Sequence, residues 1–156
     1  MKLYHGTDAF SGQNILQNGI NMNIGRKNLD FGHGFYVTPS LLQAKEWAYE
    51  NLFPCVISID FNERGLNIKH FKTANREWAE FVVQNRLGLI SHVPYDCISG
   101  PMADAGISSM SRKYYSGKIT FEQAVNAIIN SSNGLQWVML TQNAIKNISN
   151  ISLVVR

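Results

Sequence analysis

Asp30-Phe31-Gly32-His33-Gly34-Phe35-Tyr36-Val37-Thr38 is the stretch around which the chain is organised. Two glycines one residue apart permit a positive φ or a close approach to bare backbone. Phe35-Tyr36-Val37-Thr38 has the aromatic and β-branched composition of a strand. The stretch therefore reads as a tight backbone passage opening a strand, with a tyrosine beside exposed main-chain amides. That combination suits a flat, amide-bearing ligand that stacks on the ring while its polar edge bonds to main chain. Taken alone, the nine residues are better accounted for by an ordinary glycine turn before a core strand, so the choice rests on what surrounds them.

Upstream, residues 2–5 read as a short strand ended by Gly6, with Thr7 or Asp8 capping a helix over 11–17 that stops at Asn18-Gly19. Residues 20–29 are polar and without period, a surface loop that suits a lid over a neighbouring site. Downstream, Pro39-Ser40 caps a helix over 41–52, closed by Pro54. Residues 55–61 alternate as a half-buried strand, 62–65 turn, and 66–71 supply a strand partner. The best amphipathic helix spans 75–87, with Trp78, Phe81, Val82 and Asn85 on one face and Gly88 ending it. A strand over 95–99 precedes Asp104, which reads as the cap of a helix over 107–115. Thr120 and Gln123 match a capping box for a helix over 121–130. Residues 131–134 form a loop, 135–141 a strand, and 148–155 a final strand after a short helical link. Short strands alternating polar with apolar predict an α+β fold with a mainly antiparallel sheet and flanking helices, in preference to a doubly wound parallel one.

The chain has 156 residues, 45% of them apolar and 16% charged, which points to one folded domain over 1–156. Its formal charge of +3 is scattered, with no basic tail or stripe, so it is compatible with a nucleic-acid or nucleotide partner without predicting one. Cys55 and Cys97 sit in apolar runs without metal-ligand or redox spacing and read as buried reduced thiols. No apolar leader follows Met1 and no stretch is long enough to span a bilayer. A cytoplasmic protein with no membrane association is the expectation, although leaderless secretion leaves no such trace.

A nucleophile elbow, a P-loop, an H-E-x-x-H pair and a full G-x-G-x-x-G are absent from the sequence. Gly32-His33-Gly34 precedes a strand instead of linking strand to helix, which disfavours Rossmann binding. His5, His33, His70 and His92 are irregularly spaced and give no support to a metal site. Asp30, Asp60, Asp96 and Asp104 lie at predicted strand edges, where an acid pair of the glycosidase kind is one reading. Caps and turn formers account for each of them.

With Leu3-Tyr4-His5-Gly6-Thr7, Gly32-x-Gly34-x-Tyr36 and Gln136-Trp137-Val138-Met139 in view, the chain resembles the PARP-like, diphtheria-toxin-like ADP-ribosyltransferases. The first segment, with Asn14-Ile15-Leu16 and Asn18-Gly19-Ile20, is similar to that superfamily's first strand, its H-G-[ST] motif and the following helix. The second, with Ala44 and Tyr49, is similar to its G-x-G-[IF]-Y strand and next helix, and the third stands where members carry an E-Y-x-V-like strand. Asn85-Arg86 and Gly100-Pro101-x-Ala103-Asp104 resemble a small bacterial branch, some members of which are suspected toxins of toxin–antitoxin pairs.

The resemblance implies an ADP-ribosyltransferase-like fold, NAD as substrate, no metal, and a catalytic set of His5, Tyr36 and Gln136. It implies that His5 bonds the nicotinamide-side ribose, that Gly6 main chain holds the carboxamide, and that Tyr36 stacks on the nicotinamide, with Thr7 and Gly34 completing the cofactor-binding set. Gln136 departs from the superfamily's glutamate and keeps only neutral hydrogen bonding. Loss of one such preorganised electrostatic contact costs roughly 3 kcal/mol. The resemblance implies mono-ADP-ribosyl transfer to a protein, nucleic-acid or small-molecule acceptor, with an antitoxin protein as a candidate partner. NAD hydrolysis and non-catalytic binding of NAD or ADP-ribose are the alternatives.

Overall fold

A computed structural model describes residues 1–103 and 107–155. Seven strands and six helices follow one another along the described chain: β1 (Lys2–Asp8), α1 (Ala9–Asn18), β2 (Phe35–Val37), α2 (Leu41–Tyr49), β3 (Pro54–Phe61), β4 (Ile68–His70), α3 (Arg76–Arg86), β5 (Cys97–Ala103), α4 (Ile107–Tyr115), α5 (Phe121–Ile129), β6 (Ser132–Met139), α6 (Gln142–Lys146) and β7 (Ile148–Val155). The fold is α+β. The strands form two sheets, β1-β3-β7 and β2-β6-β5-β4, antiparallel throughout except for β4 on β5.

Helix starts follow local chemistry. Asp8, Ser40, Asn75, Thr120 and Thr141 each accept a hydrogen bond from a first-turn amide, and Thr120 and Gln123 close a reciprocal capping box. Gly19, at φ +81°, ends α1 by returning its amide to Ile15 O.

Side-chain alternation then sets the layers. On β2 and β6, Phe35, Val37, Trp137 and Met139 turn toward the first sheet and pack with Leu3, Ile57, Ile59 and Phe61. On the opposite face, Tyr36 and Val138 meet Phe31 and the inner faces of α3 and α5. Trp78 is fully buried there, its indole N–H donating to Pro101 O at 2.9 Å. Helix α2 lies on the outer face of the first sheet through Ala44, Ala48 and Val56.

Four expectations are corrected. β1 continues through Gly6 to Asp8, because Thr7 still pairs with Cys55 and Asp8 with Pro54. β3 is the central strand of its sheet and is buried on both faces, not half-buried. Residues 68–70 pair in parallel with β5 instead of with β3. The 131–134 loop is replaced by an extension of β6 through Asn133 and Gly134, whose positive φ of 62° sits beside a register shift against Pro101 and Met102. Cys55 and Cys97 are buried and outside any disulfide, and burial pushes the Cys97 thiol up to about 12, which suppresses its nucleophilic form. The predicted cap Asp104 lies outside the described residues. No helix among the described residues is long and apolar enough to cross a membrane.

Candidate functional site

The two sheets meet at one bridge, and the candidate site begins where they part. Along β1 against β3, Phe61 N donates to Met1 O and Ala9 N to Phe53 O, each at 2.8 Å. Main-chain groups alternate sides along an antiparallel strand, so odd-numbered residues of β1 face β3 and even-numbered ones face outward. Tyr4 spends its outward pair on Thr38, with N···O distances of 2.8 and 2.9 Å. A continued ladder would next pair Gly6 with Tyr36. Instead, Tyr36 O lies 2.8 Å from His5 Nδ1, which takes the place of a main-chain partner. Among the described residues no hydrogen bond engages the outward N–H and C=O of Gly6, which lie at the notch where β1 and β2 part.

Glycine is required at position 6 for a different reason. A Cβ there would fall 2.0 Å from Ala44 O and 2.9 Å from Ala48 N, so α2 can lie on β1 only over a bare backbone. The donor–acceptor pair at the notch and the tight helix contact are two consequences of one residue. Thr7, half-buried, follows on the His5 side of the strand and directs its main chain to Cys55.

His5 has a defined tautomer. A carbonyl oxygen only accepts, so Nδ1 must carry the proton toward Tyr36 O, leaving the Nε2 lone pair as an acceptor in the neutral ring. Burial lowers the His5 pKa, against the raising effect of the Tyr36 carbonyl and of Asp8. The ring also rests on Phe35, with centroids 4.4 Å apart. A neutral, oriented imidazole suits acceptance of a hydroxyl proton better than donation of charge.

Tyr36 projects to the other face of β2. Its hydroxyl donates to Gly32 O at 2.6 Å and accepts from Phe31 N at 3.0 Å. Burial raises its pKa, so it remains a neutral phenol that ties the glycine passage to the sheet. Gly32 takes φ +86° against Asn85. Gly34 is forced by proximity to β6, because a Cβ would lie 2.5 Å from Val138 Cγ2 and 2.6 Å from Met139 O. The G-x-G element is therefore explained by packing, and the hydroxyl of Tyr36 is committed within the protein while its ring stays half-buried.

Gln136 is 3% exposed and belongs to a buried polar network. Its Nε2 donates to Asp30 Oδ2 at 2.8 Å. The same oxygen accepts from Ala103 N at 2.9 Å, while Arg86 places Nε 2.7 Å and Nη2 2.6 Å from Asp30 Oδ1. Arg86 Nη2 also donates to Ala103 O at 3.0 Å. Asp30 thus collects four donor contacts and, with Arg86, forms a neutral pair buried to within 4% and 2% exposure. Among the described residues no hydrogen bond engages Gln136 Oε1.

The structure gathers the predicted residues into two neighbouring groups. His5 and Gly6 frame the notch, where His5 reaches Tyr36 through the main chain. Tyr36 and Gln136 share the opposite face of the second sheet. Asp30 was read only as a cap or turn former, and Arg86 only as part of a motif. Their pairing across 56 residues leaves no local signal, although a carboxylate in an otherwise apolar passage does call for a cation. Of the other candidate carboxylates, Asp60 binds Lys2 and Asn150, Asp96 binds Asn67 and Thr141, and Asp104 lies outside the described residues. Among the described residues no cluster of three His, Cys, Asp or Glu side chains gathers to hold a metal.

No curated protein and no solved structure matches the chain. A family model described as a protein of unknown function (DUF3990) matches residues 1–149, and with nearly the whole chain covered, this protein belongs to the DUF3990 family.

Proposed function

We propose that the protein is an NAD-consuming mono-ADP-ribosyltransferase that holds the nicotinamide end of NAD at the notch between β1 and β2. The observation that carries this reading is the outward main-chain pair of Gly6 beside a neutral His5 fixed by Tyr36 O. A carboxamide presents one acceptor and one donor edge, which complements one N–H and one C=O on the same strand edge. His5 Nε2 then accepts from a ribose hydroxyl and fixes the sugar. Transfer breaks the bond between ribose C1′ and the pyridinium nitrogen. The leaving nicotinamide takes the electron pair, and the acceptor attacks C1′ as it loses its proton. Little covalent chemistry is asked of the protein beyond clamping the ring, fixing the sugar and excluding water.

A second reading, an NAD-binding module without turnover, is favoured by one observation. The position that resembles a catalytic glutamate holds a glutamine whose amide is already bound to Asp30, so no free carboxylate stands there to stabilise an oxocarbenium-like ribose. NAD glycohydrolysis differs from transfer only in using water as acceptor.

The test is nicotinamide release from NAD by wild type, His5→Asn and His5→Gln. Asparagine keeps a donor where Nδ1 stands and loses the acceptor, whereas glutamine keeps reach toward the Nε2 position. Turnover that falls at least tenfold in His5→Asn and recovers in part in His5→Gln supports transfer or hydrolysis, separated by mass spectrometry of the products. Calorimetric binding of NAD without release supports the module. Neither binding nor release by folded wild type refutes both.

A further inference from the structure

The described chain contains a second concavity of about 490 Å³ that uses neither His5 nor Gln136. It lies between the 27–33 segment and the 88–95 segment, with Phe31, Val93 and Leu140 as apolar lining. We propose that this cleft binds a mononucleotide, with the phosphate at its basic rim and an N–H of the base on Asn85.

Charge is the first ground. Lys27 brings a positive charge to the cleft, His33 and His92 add ring nitrogens, and no aspartate or glutamate lines it. The nearest acid in sequence, Asp30, is turned away into its pair with Arg86. A one-signed concave site concentrates anions.

Asn85 is the second and independent ground. It is 5% exposed, and its Nδ2 donates to Phe81 O at 3.0 Å, which fixes the orientation of the amide. Its Oδ1 points to Gly32, 3.1 Å from where a Cβ would stand. Among the described residues no hydrogen bond engages that oxygen. No fully buried side-chain nitrogen or oxygen among the described residues lacks a partner, so this oxygen keeps access to the cleft that Asn85 lines and is the acceptor offered there, beside a Gly32 held bare at φ +86°.

Size and rim complete the case. The volume falls in the range of small-ligand pockets, roughly 300–1,000 Å³, and is enough for a base and one phosphorylated sugar. Tyr95 supplies an aromatic surface beside the apolar lining, which suits a flat ring. Inorganic phosphate alone would satisfy the basic rim but would leave Asn85 and the apolar lining unused.

The experiment is calorimetric titration with adenosine, guanosine and cytidine 5′-monophosphates, ribose 5-phosphate and inorganic phosphate. It uses wild type, Lys27→Glu, His92→Glu and His5→Asn. Lys27 and His92 are exposed, so a carboxylate placed at either leaves the core intact. The expected result is binding of at least one mononucleotide, at least tenfold tighter than ribose 5-phosphate or phosphate. Each glutamate variant should weaken it tenfold or more, and His5→Asn should leave it unchanged. Equal affinity for phosphate and mononucleotide overturns the assignment. So does the absence of mononucleotide binding by folded wild type, or binding that Lys27→Glu and His92→Glu leave unaltered. Loss in His5→Asn alone would place the ligand at the notch instead and likewise overturn it.

Discussion

Replacing Gln136 by glutamate introduces the residue that the resembled enzymes carry, yet the buried network predicts a penalty. Gln136 Nε2 donates to Asp30 Oδ2 at 2.8 Å, so the variant sets a carboxylate oxygen at hydrogen-bond distance from another carboxylate. One guanidinium, Arg86, already neutralises Asp30, and the added charge is uncompensated. Buried carboxylates are raised by up to about 3–5 units, and the nearby Arg86 argues for the lower end, near 3 units above an unfolded value of about 4.3. At about 1.4 kcal/mol per unit, the variant loses about 4 kcal/mol relative to wild type once the group is ionised in both states. The sign follows from proton binding. Between the two pKa values the folded variant holds the proton and the unfolded chain does not, so stability falls as pH rises from about 4.3 to about 7 and then levels. Below that window the protonated acid donates to Asp30 as the amide did. Thermal unfolding of wild type and Gln136→Glu at pH 5 and pH 8 measures the effect. At 2–4 °C per kcal/mol, the variant should melt about 8–16 °C below wild type at pH 8 and much nearer to it at pH 5. Equal differences at the two pH values, or a variant more stable than wild type at pH 8, would refute the reasoning. A glutamate held protonated at pH 6 also supplies no charge to a transition state, so Gln136→Glu should not raise nicotinamide release at that pH.

Removing one member of the buried pair, as in Arg86→Met, leaves Asp30 charged and uncompensated and should cost about 3–5 kcal/mol by denaturant unfolding. Gly34→Ala forces a Cβ against Met139 O and should destabilise by about 1–3 kcal/mol, while Gly65→Ala meets no neighbour and should cost only the strain of its positive φ, roughly 1 kcal/mol. Tyr36→Phe removes both bonds to the glycine passage, and proteolysis or hydrogen exchange should show faster opening at residues 29–34. His5 has a lowered folded pKa, so its contribution to stability is present above about pH 6.5 and is lost as pH falls through the folded value; His5→Asn should flatten that part of the profile. If the resemblance to toxins extends to activity, expression in a bacterial host should arrest growth and His5→Asn should relieve it.

Much of the fold was legible because it is locally encoded. Capping residues, the terminating Gly19 and the apolar period of α3 act within a few residues, and each produced the element expected. The boundaries of β1 and β6 were missed for a shared reason: Gly6 and Gly134 read as breakers, but pairing across strands carried the ladder through them. The parallel pairing of β4 was missed because partner choice is non-local and leaves no trace in alternation.

Residue types at positions 5, 6, 36 and 136 were determined by the sequence alone, and with them the expectation of a histidine, a bare backbone and an amide near one another. Only the tertiary structure decided what those groups are free to do. The outward main chain of Gly6 has no hydrogen-bond partner among the described residues because β1 and β2 part after Tyr4 and Thr38, and the Tyr36 hydroxyl is spent on Phe31 and Gly32. Gln136 is committed to Asp30 because a buried carboxylate held by one arginine accepts a further neutral donor at little cost and repels a second negative charge.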